Sequence, residues 1–146
     1  MPSRGLRLLV AVDFSAASLR ALRAARGLRA RAGGSVTLAH VRPHSDVRAA
    51  VLEERGDLLK TEGGLKEAMA AHYEKRLSAL VKSKEHESWI LLSGKPALAL
   101  ARQAKRGYDL VVMGSRGQGA VSNLLLGSTV QELLRISPIP VVVLPR

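Results

Sequence analysis

The residues best suited to chemistry form one pattern in the last third of the chain. Gly114 and Gly117 are followed, after nine intervening residues, by Gly127, Ser128 and Thr129. Glycine lets backbone amides approach a ligand closely. A helix that begins after Gly127 would present bare amides with positive partial charge, an arrangement that suits a phosphate. The spacing therefore indicates a phosphate-binding loop.

The same residues also fit a simpler explanation. Ser128 with Gln131, and Thr129 with Glu132, each match the capping box that starts many helices, and glycine is common in turns. Arg116 lies within the loop and could add charge-assisted contacts to a phosphate. From these residues alone, a phosphate site and a capped glycine-rich turn both remain open.

Two common phosphate motifs are excluded. No Gly-Lys-Ser or Gly-Lys-Thr run follows a glycine at Walker A spacing. A dinucleotide fingerprint needs G-x-G-x-x-G directly after the first strand, but the first predicted strand is followed by Asp13-Phe14-Ser15. The sequence Gly117-Gln118-Gly119 gives half of that fingerprint, after a later strand.

The remaining candidates for catalytic, metal-binding or phosphate-binding residues have weaker support from the sequence. The chain has no cysteine, which excludes disulfides, thiol catalysis and thiolate metal sites. His40 and His44 straddle a predicted strand end, so we expect no metal site there. Lys95 is expected to be solvated rather than bound to phosphate. No Ser-His-Asp set can be identified, and we predict no catalytic residue.

The candidate residues must be positioned by strands and helices. The sequence predicts these from short apolar runs and from apolar residues at helical spacing. A helix capped by Ser15 should end at Gly33-Gly34, and later helices should carry Leu65 to about Lys84, Pro96 to Gly107, and Val130 to Leu134. The strands are predicted at Leu6–Val12, Val36–Val41, Trp89–Leu92, Leu110–Met113 and Ile139–Leu144. Strict alternation of strand and helix predicts an α/β fold, a single-domain doubly wound five-stranded parallel sheet with helices on both faces.

Two segments carry further expectations. Residues 44–64 are predicted to be a variable, irregular connection, because Gly56 and Gly63-Gly64 should interrupt any long helix. Pro140 cannot donate to a sheet ladder, so the last strand should be an edge strand. An exposed edge reading Val141–Val143 favours pairing with a second chain, and we expect a homodimer through Ile139–Leu144.

Along essentially its whole length the chain resembles the universal stress protein family. The resemblance implies one domain over residues 1–146 with a Rossmann-like fold, similar to the adenine nucleotide alpha hydrolases. In that family the spacing G-x2-G-x9-G-Ser/Thr distinguishes members that bind ATP, and this chain matches it. The resemblance rests on Leu9–Ser15, Ala21-Leu22, Thr37–Val41, Tyr108–Gly117, Gly127–Val130 and Pro138–Val143.

The resemblance also implies an ATP site, with Mg²⁺ accompanying the nucleotide. Asp13 has an alternative role as a turn or capping residue, and Met113 as a plain core residue. Carried over position by position, adenine and ribose would be held by Val12, Asp13 and Val41, the adenosine side would be lined by Met113 and Gly114, and the phosphates would contact Arg116, Gly117, Gly127, Ser128 and Thr129.

The net charge of +11 raises a second reading, a basic protein that binds nucleic acid without sequence specificity. Arg20, Arg23 and Arg31 fall off the apolar stripe of the first helix, so we expect them on a solvated outer face. Aromatic residues are only 3% of the chain, and no helix-turn-helix or zinc pattern is present. We therefore predict no specific nucleic-acid partner.

The favoured function is a cytoplasmic ATP-binding stress-response protein that acts through nucleotide-dependent conformation or partner choice. At most slow ATP hydrolysis is expected, because no general base is evident beside the loop. A structural dimer that binds no ligand is the third reading. The longest early apolar run, Leu8–Val12, is too short for a signal peptide or a membrane span, so no membrane association is expected.

Overall fold

The computed structural model describes residues 4–42, 62–117 and 126–145. Strands and helices alternate along the chain, as the sequence predicts. The strands are β1 (Leu6–Ala11), β2 (Gly34–Arg42), β3 (Glu87–Ser93), β4 (Leu110–Gly114) and β5 (Val141–Leu144). The helices are α1 (Ala16–Ala32), α2 (Glu62–Leu80), α3 (Pro96–Ala104) and α4 (Ser128–Ile136).

The strands form one five-stranded sheet in the order β3-β2-β1-β4-β5, and every neighbouring pair is parallel. The predicted five-stranded parallel sheet is confirmed, and β5 lies at an edge, as Pro140 indicates. The order of connection reverses beside β1, between β1 and β4. In sheets of this kind, ligands bind at such a reversal, beyond the carboxyl ends of the strands.

Each face of the sheet is covered by two helices. Leu8 and Val10 of β1 pack with Leu22 of α1 and Leu77 of α2. The intervening Leu9 faces the other way and packs with residues of α3 and α4, among them Leu100 and Leu133. Because successive side chains of a strand point to opposite faces, two covered faces require the uniformly apolar strands that the sequence shows.

The second helix departs from prediction at both ends. It begins at Glu62 and includes Gly63 and Gly64 in its first turn, whereas the predicted helix began at Leu65 and the two glycines were expected to interrupt any long helix before it. It ends at Leu80 rather than near Lys84, and the Lys82 amide donates instead to the Glu87 carboxylate at 2.8 Å. Most of the predicted 44–64 connection lies outside the described residues.

Smaller differences have local causes. The last strand begins at Val141 rather than Ile139, because the Ser137 hydroxyl donates to the Ile139 carbonyl at 2.7 Å and folds that segment into a turn. The first strand ends one residue before Val12. Ser15 caps α1 as predicted, its hydroxyl accepting from the Ser18 amide at 3.2 Å.

A buried ion pair joins α1 to the start of β3. Arg26 Nε donates to Glu87 Oε1 at 2.6 Å, and Arg26 Nη2 donates to Glu87 Oε2 at 2.9 Å. The same Nη2 donates to the carbonyl of Leu80, the last residue of α2. The Glu87 side chain is only 5% exposed. Hydrogen bonds from Arg26 lower the pKa of Glu87, so the carboxylate stays charged.

Within the described ranges, no helix is long and apolar enough to cross a membrane.

Candidate functional site

The loops beyond the carboxyl ends of the strands enclose a cavity of about 360 Å³. Its volume lies within the range of small-molecule sites, roughly 300–1,000 Å³. The cavity brings together residues from the ends of β1, β2 and β4 and from the start of α4. All ten residues implicated from the sequence line it: Val12, Asp13, Val41, Met113, Gly114, Arg116, Gly117, Gly127, Ser128 and Thr129.

The start of α4 forms the polar end of the cavity. Gly127 is the N-cap residue, held by a hydrogen bond from its amide to the Ser115 carbonyl at 2.8 Å. Its φ of −67° is open to any residue. A Cβ there would lie 3.6 Å from Arg116 Cα and 3.8 Å from the Gly117 nitrogen. A side chain at this position would therefore project toward the Arg116-Gly117 segment and fill the space beside it.

The capping boxes considered for this helix do not form, because Ser128 is already the first helical residue. Gln131 instead donates from its side-chain amide to the Leu126 carbonyl at 2.9 Å. Gly127 has no side chain with which to cap the helix. The first backbone amides of this nine-residue helix therefore face the end of the cavity and receive no hydrogen bond from an N-cap side chain. They carry the positive partial charge of a helix N-terminus.

Gly117 and Gly114 both lack room for a Cβ, but different neighbours exclude it. A Cβ on Gly117 would collide with Oδ2 of Asp13, so this glycine lets the loop after β4 close onto the end of β1. A Cβ on Gly114 would lie 2.9 Å from the Cβ and the carbonyl carbon of Ala17. Gly114 therefore permits close packing of β4 against α1, besides lining the cavity.

Asp13 has the alternative structural role that its position suggests. Its Oδ1 accepts from the Ser15 amide at 3.0 Å and from the Ser15 hydroxyl, which fixes the turn into α1. Its Oδ2 lies directly against Gly117. Asp13 therefore shapes this turn and also lines the cavity.

The opposite wall of the cavity is apolar. Met113 belongs to the buried cluster between the sheet and α3 and α4 and also lines the cavity, so it is a core residue at the edge of the cavity. Val41 packs against the same cluster, and Pro96 and Leu100 of α3 extend the wall. Such a surface suits a flat apolar ring.

The side of the cavity that faces α2 was not predicted from the sequence. Phe14, His40 and Tyr73, here called the ring wall, line it together with Arg76. The His40 ring centroid lies 4.9 Å from that of Phe14 and 4.4 Å from that of Tyr73. The Arg76 guanidinium lies 3.8 Å from the Phe14 ring centroid. Tyr73 falls within the helix predicted from Leu65 to about Lys84, but its position beside the cavity was not predicted.

Charge around the cavity favours an anion. Among the described residues that line it, Arg76 and Arg116 are the cations and Asp13 is the carboxylate. Burial is the largest influence on His40 and lowers its pKa, so that ring is neutral near pH 7. Lys95 is exposed, as expected.

No metal centre emerges from the described parts of the chain, where no three His, Asp or Glu side chains come together in an arrangement that could hold an ion. His44, the other member of the histidine pair, lies outside those residues. His40 instead donates from Nδ1 to the Val12 carbonyl at 2.7 Å.

Comparison with known sequences identifies one family. The family model described as the universal stress protein family matches residues 6–145. A universal stress protein of Bacillus subtilis is 28% identical over 145 residues, covering 94% of this chain and 97% of its own. A Thermus aquaticus universal stress protein is 46% identical over 56 residues; that match spans 38% of this chain and 41% of the relative.

Solved structures share the fold. A hypothetical protein solved as a test case of structural genomics superposes with a TM-score of 0.81 at 24% identity, covering 99% of this chain and 98% of its own. A universal stress protein from Lactobacillus plantarum gives 0.68 at 23% identity, with 99% of both chains covered. A universal stress protein solved in complex with cAMP gives 0.61 at 22% identity, covering 98% of both chains.

Proposed function

The chain belongs to the universal stress protein family, and on that premise we propose that its cavity binds ATP, accompanied by Mg²⁺. One observation carries the proposal: the side-chain-free N-cap at Gly127 opens toward Arg116 and Gly117. Bare amides at a helix start, a neighbouring guanidinium and space that a Cβ would fill together suit a phosphate group.

The two ends of the cavity differ as a nucleotide requires. The polyphosphate would lie at the start of α4, with Arg116, Gly117, Ser128 and Thr129 around it. The adenine and ribose would lie toward the apolar wall, held by Val12, Asp13 and Val41, with Met113 and Gly114 lining the adenosine side. The relative solved with cAMP supports an adenine nucleotide as the class of ligand.

The proposed role is regulatory, in a cytoplasmic response to stress, rather than rapid catalysis. Asp13 is the only carboxylate among the described residues that line the cavity, and Ser15 already donates two hydrogen bonds to it. A carboxylate held in this way is a poor general base. Hydrolysis of bound ATP would therefore be slow, and the bound nucleotide would act by changing conformation or choice of partner.

The most direct test is to identify the small molecule that the protein retains. The purified chain is denatured, the released material is analysed by mass spectrometry, and the nucleotide-free protein is refolded and titrated with ATP, ADP and cAMP. We expect an adenine nucleotide to be released and ATP to bind the refolded protein. Release of no nucleotide, together with no binding of ATP at millimolar concentration, would contradict the proposal.

A further inference from the structure

The imidazole of His40 beside the cavity has one satisfied nitrogen and one unsatisfied nitrogen. Its Nδ1 lies 2.7 Å from the carbonyl oxygen of Val12. A carbonyl can only accept, so Nδ1 carries the hydrogen and Nε2 of the neutral ring is an acceptor. His40 is 8% exposed. Its Nε2 is buried, and no described residue donates to it.

An acceptor in this state is unusual in a folded protein, because nearly all buried polar atoms have a partner. Protonation does not resolve the deficit, since burial lowers the pKa of His40. The charged groups that act on the ring oppose one another: Asp13 favours the protonated form, whereas Arg76 and Arg42 disfavour it. The ring therefore keeps a lone pair at Nε2 for which the described part of the protein supplies no donor.

We propose that Nε2 of His40 accepts a hydrogen bond from a donor on the nucleoside part of the bound ligand, which makes His40 a specificity-determining residue. This inference rests on the proposed function. His40 bonds to Val12 and directly precedes Val41, the two residues placed beside adenine and ribose. The donor is therefore the 6-amino group of the base or a ribose hydroxyl.

The ring wall must open for this contact to form. Phe14 and Tyr73 pack against the imidazole, and solvent scarcely reaches Nε2. Phe14 has a φ of +65°, a left-handed conformation that is rare for a bulky residue and stores strain. We therefore expect the backbone at Phe14 to change conformation when the ligand binds, because a change in its φ would release strain and carry the ring off the imidazole.

A comparison of ligands that differ by one donor tests the contact. Dissociation constants are measured for ATP, 2′-deoxyATP, 3′-deoxyATP and purine riboside triphosphate, which lacks the 6-amino group. The proteins are the wild type, His40→Phe, and the control His86→Phe, which replaces a half-exposed histidine that does not line the cavity. We expect one analogue to bind wild type about two- to twelvefold more weakly than ATP, the range of a single hydrogen bond. That analogue identifies the donor.

The discrimination should disappear in His40→Phe and persist in His86→Phe. Because the ratio of two ligands is taken within one variant, a loss of stability cancels. His40→Asn provides a second variant, since its amide keeps a donor for the Val12 carbonyl and lacks Nε2. Unchanged ratios in both His40 variants, or no discrimination by wild type, would overturn the inference while leaving ATP binding intact. Failure of wild type to bind ATP would overturn the proposed function as well.

Discussion

Gly127 and Gly114 both lie beside the cavity, but the space around the missing side chain differs between them. Gly114 has no room for a Cβ against Ala17, whereas a Cβ at Gly127 would meet only ordinary contacts of 3.6 Å and longer. The spacing of the motif predicted that these residues meet at one site. It could not separate a packing requirement from a ligand requirement, because only the position of α1 distinguishes them.

Substitution separates the two purposes. Gly127→Val should abolish ATP binding with a far-UV circular dichroism spectrum close to wild type, because its side chain fills the proposed phosphate space. Gly114→Ala should lower the free energy of unfolding by about 1–3 kcal/mol, the usual effect of overpacking, as measured by urea denaturation. Wild-type affinity in Gly127→Val would mean that the glycine serves the turn alone.

His40 should make stability depend on pH. Its pKa in the folded chain lies below the reference value of 6.5, chiefly because of burial, so the unfolded chain takes up the proton first as pH falls. The contribution of neutral His40 to stability is therefore complete above pH 6.5. It is lost as the pH falls from 6.5 through the lower pKa of His40 in the folded chain. Urea denaturation between about pH 8 and about pH 5 should show a steeper decline for wild type than for His40→Asn. Equal declines would contradict this assignment.

At the scale of elements, the order of strands and helices was predictable and the position of α2 was not. Apolar runs and glycine or proline boundaries are local signals, and they identified every strand. The approach of α2 to the cavity is accompanied by burial of Met69 and Leu77, which involves contacts between residues distant in sequence. Sequence spacing therefore predicted that Tyr73 and Arg76 lie in a helix, but it could not predict that this helix places them beside His40.

The buried ion pair of Arg26 and Glu87 should be the main polar interaction between α1 and β3. Arg26→Met should lower the free energy of unfolding by about 3–5 kcal/mol, because it removes the cation from the buried Glu87 carboxylate and leaves it with backbone donors such as the Lys82 amide. The matched control is Arg23→Met on the exposed face of the same helix, which should change stability by no more than about 0.5 kcal/mol. Equal losses in urea denaturation would assign the effect to helix α1 itself.

At the scale of the whole molecule, some of the arginines that give the chain its positive net charge form ion pairs or hydrogen bonds within the fold. Arg4 pairs with Asp109 at 2.8 Å, Arg7 donates to the Gly107 carbonyl, and Arg26 pairs with Glu87. Arg23 and Arg31 are exposed as predicted, whereas Arg20 is half-buried. Net charge alone could not show this division, since it depends on which acids and carbonyls the fold brings near.

The β5 edge is the proposed site of homodimer formation. Val142 is 37% exposed there, and β4 is the only strand among the described residues that pairs with β5. Pairing of β5 with its copy would give an isologous dimer. Val142→Lys should convert the dimer to a monomer in sedimentation experiments, whereas Ser88→Lys on the opposite edge strand should not. A wild type that is monomeric at high concentration would contradict the proposal.

Thermal unfolding of nucleotide-free protein with and without Mg-ATP tests the central claim, that the cavity binds ATP. If ATP binds only the folded chain, a concentration near 100 times Kd adds about 2.7 kcal/mol. For a chain of this size each kcal/mol raises Tm by roughly 2–4 °C. We predict such a rise for wild type and none for Gly127→Val. An unchanged Tm of nucleotide-free wild type at millimolar ATP would contradict the account.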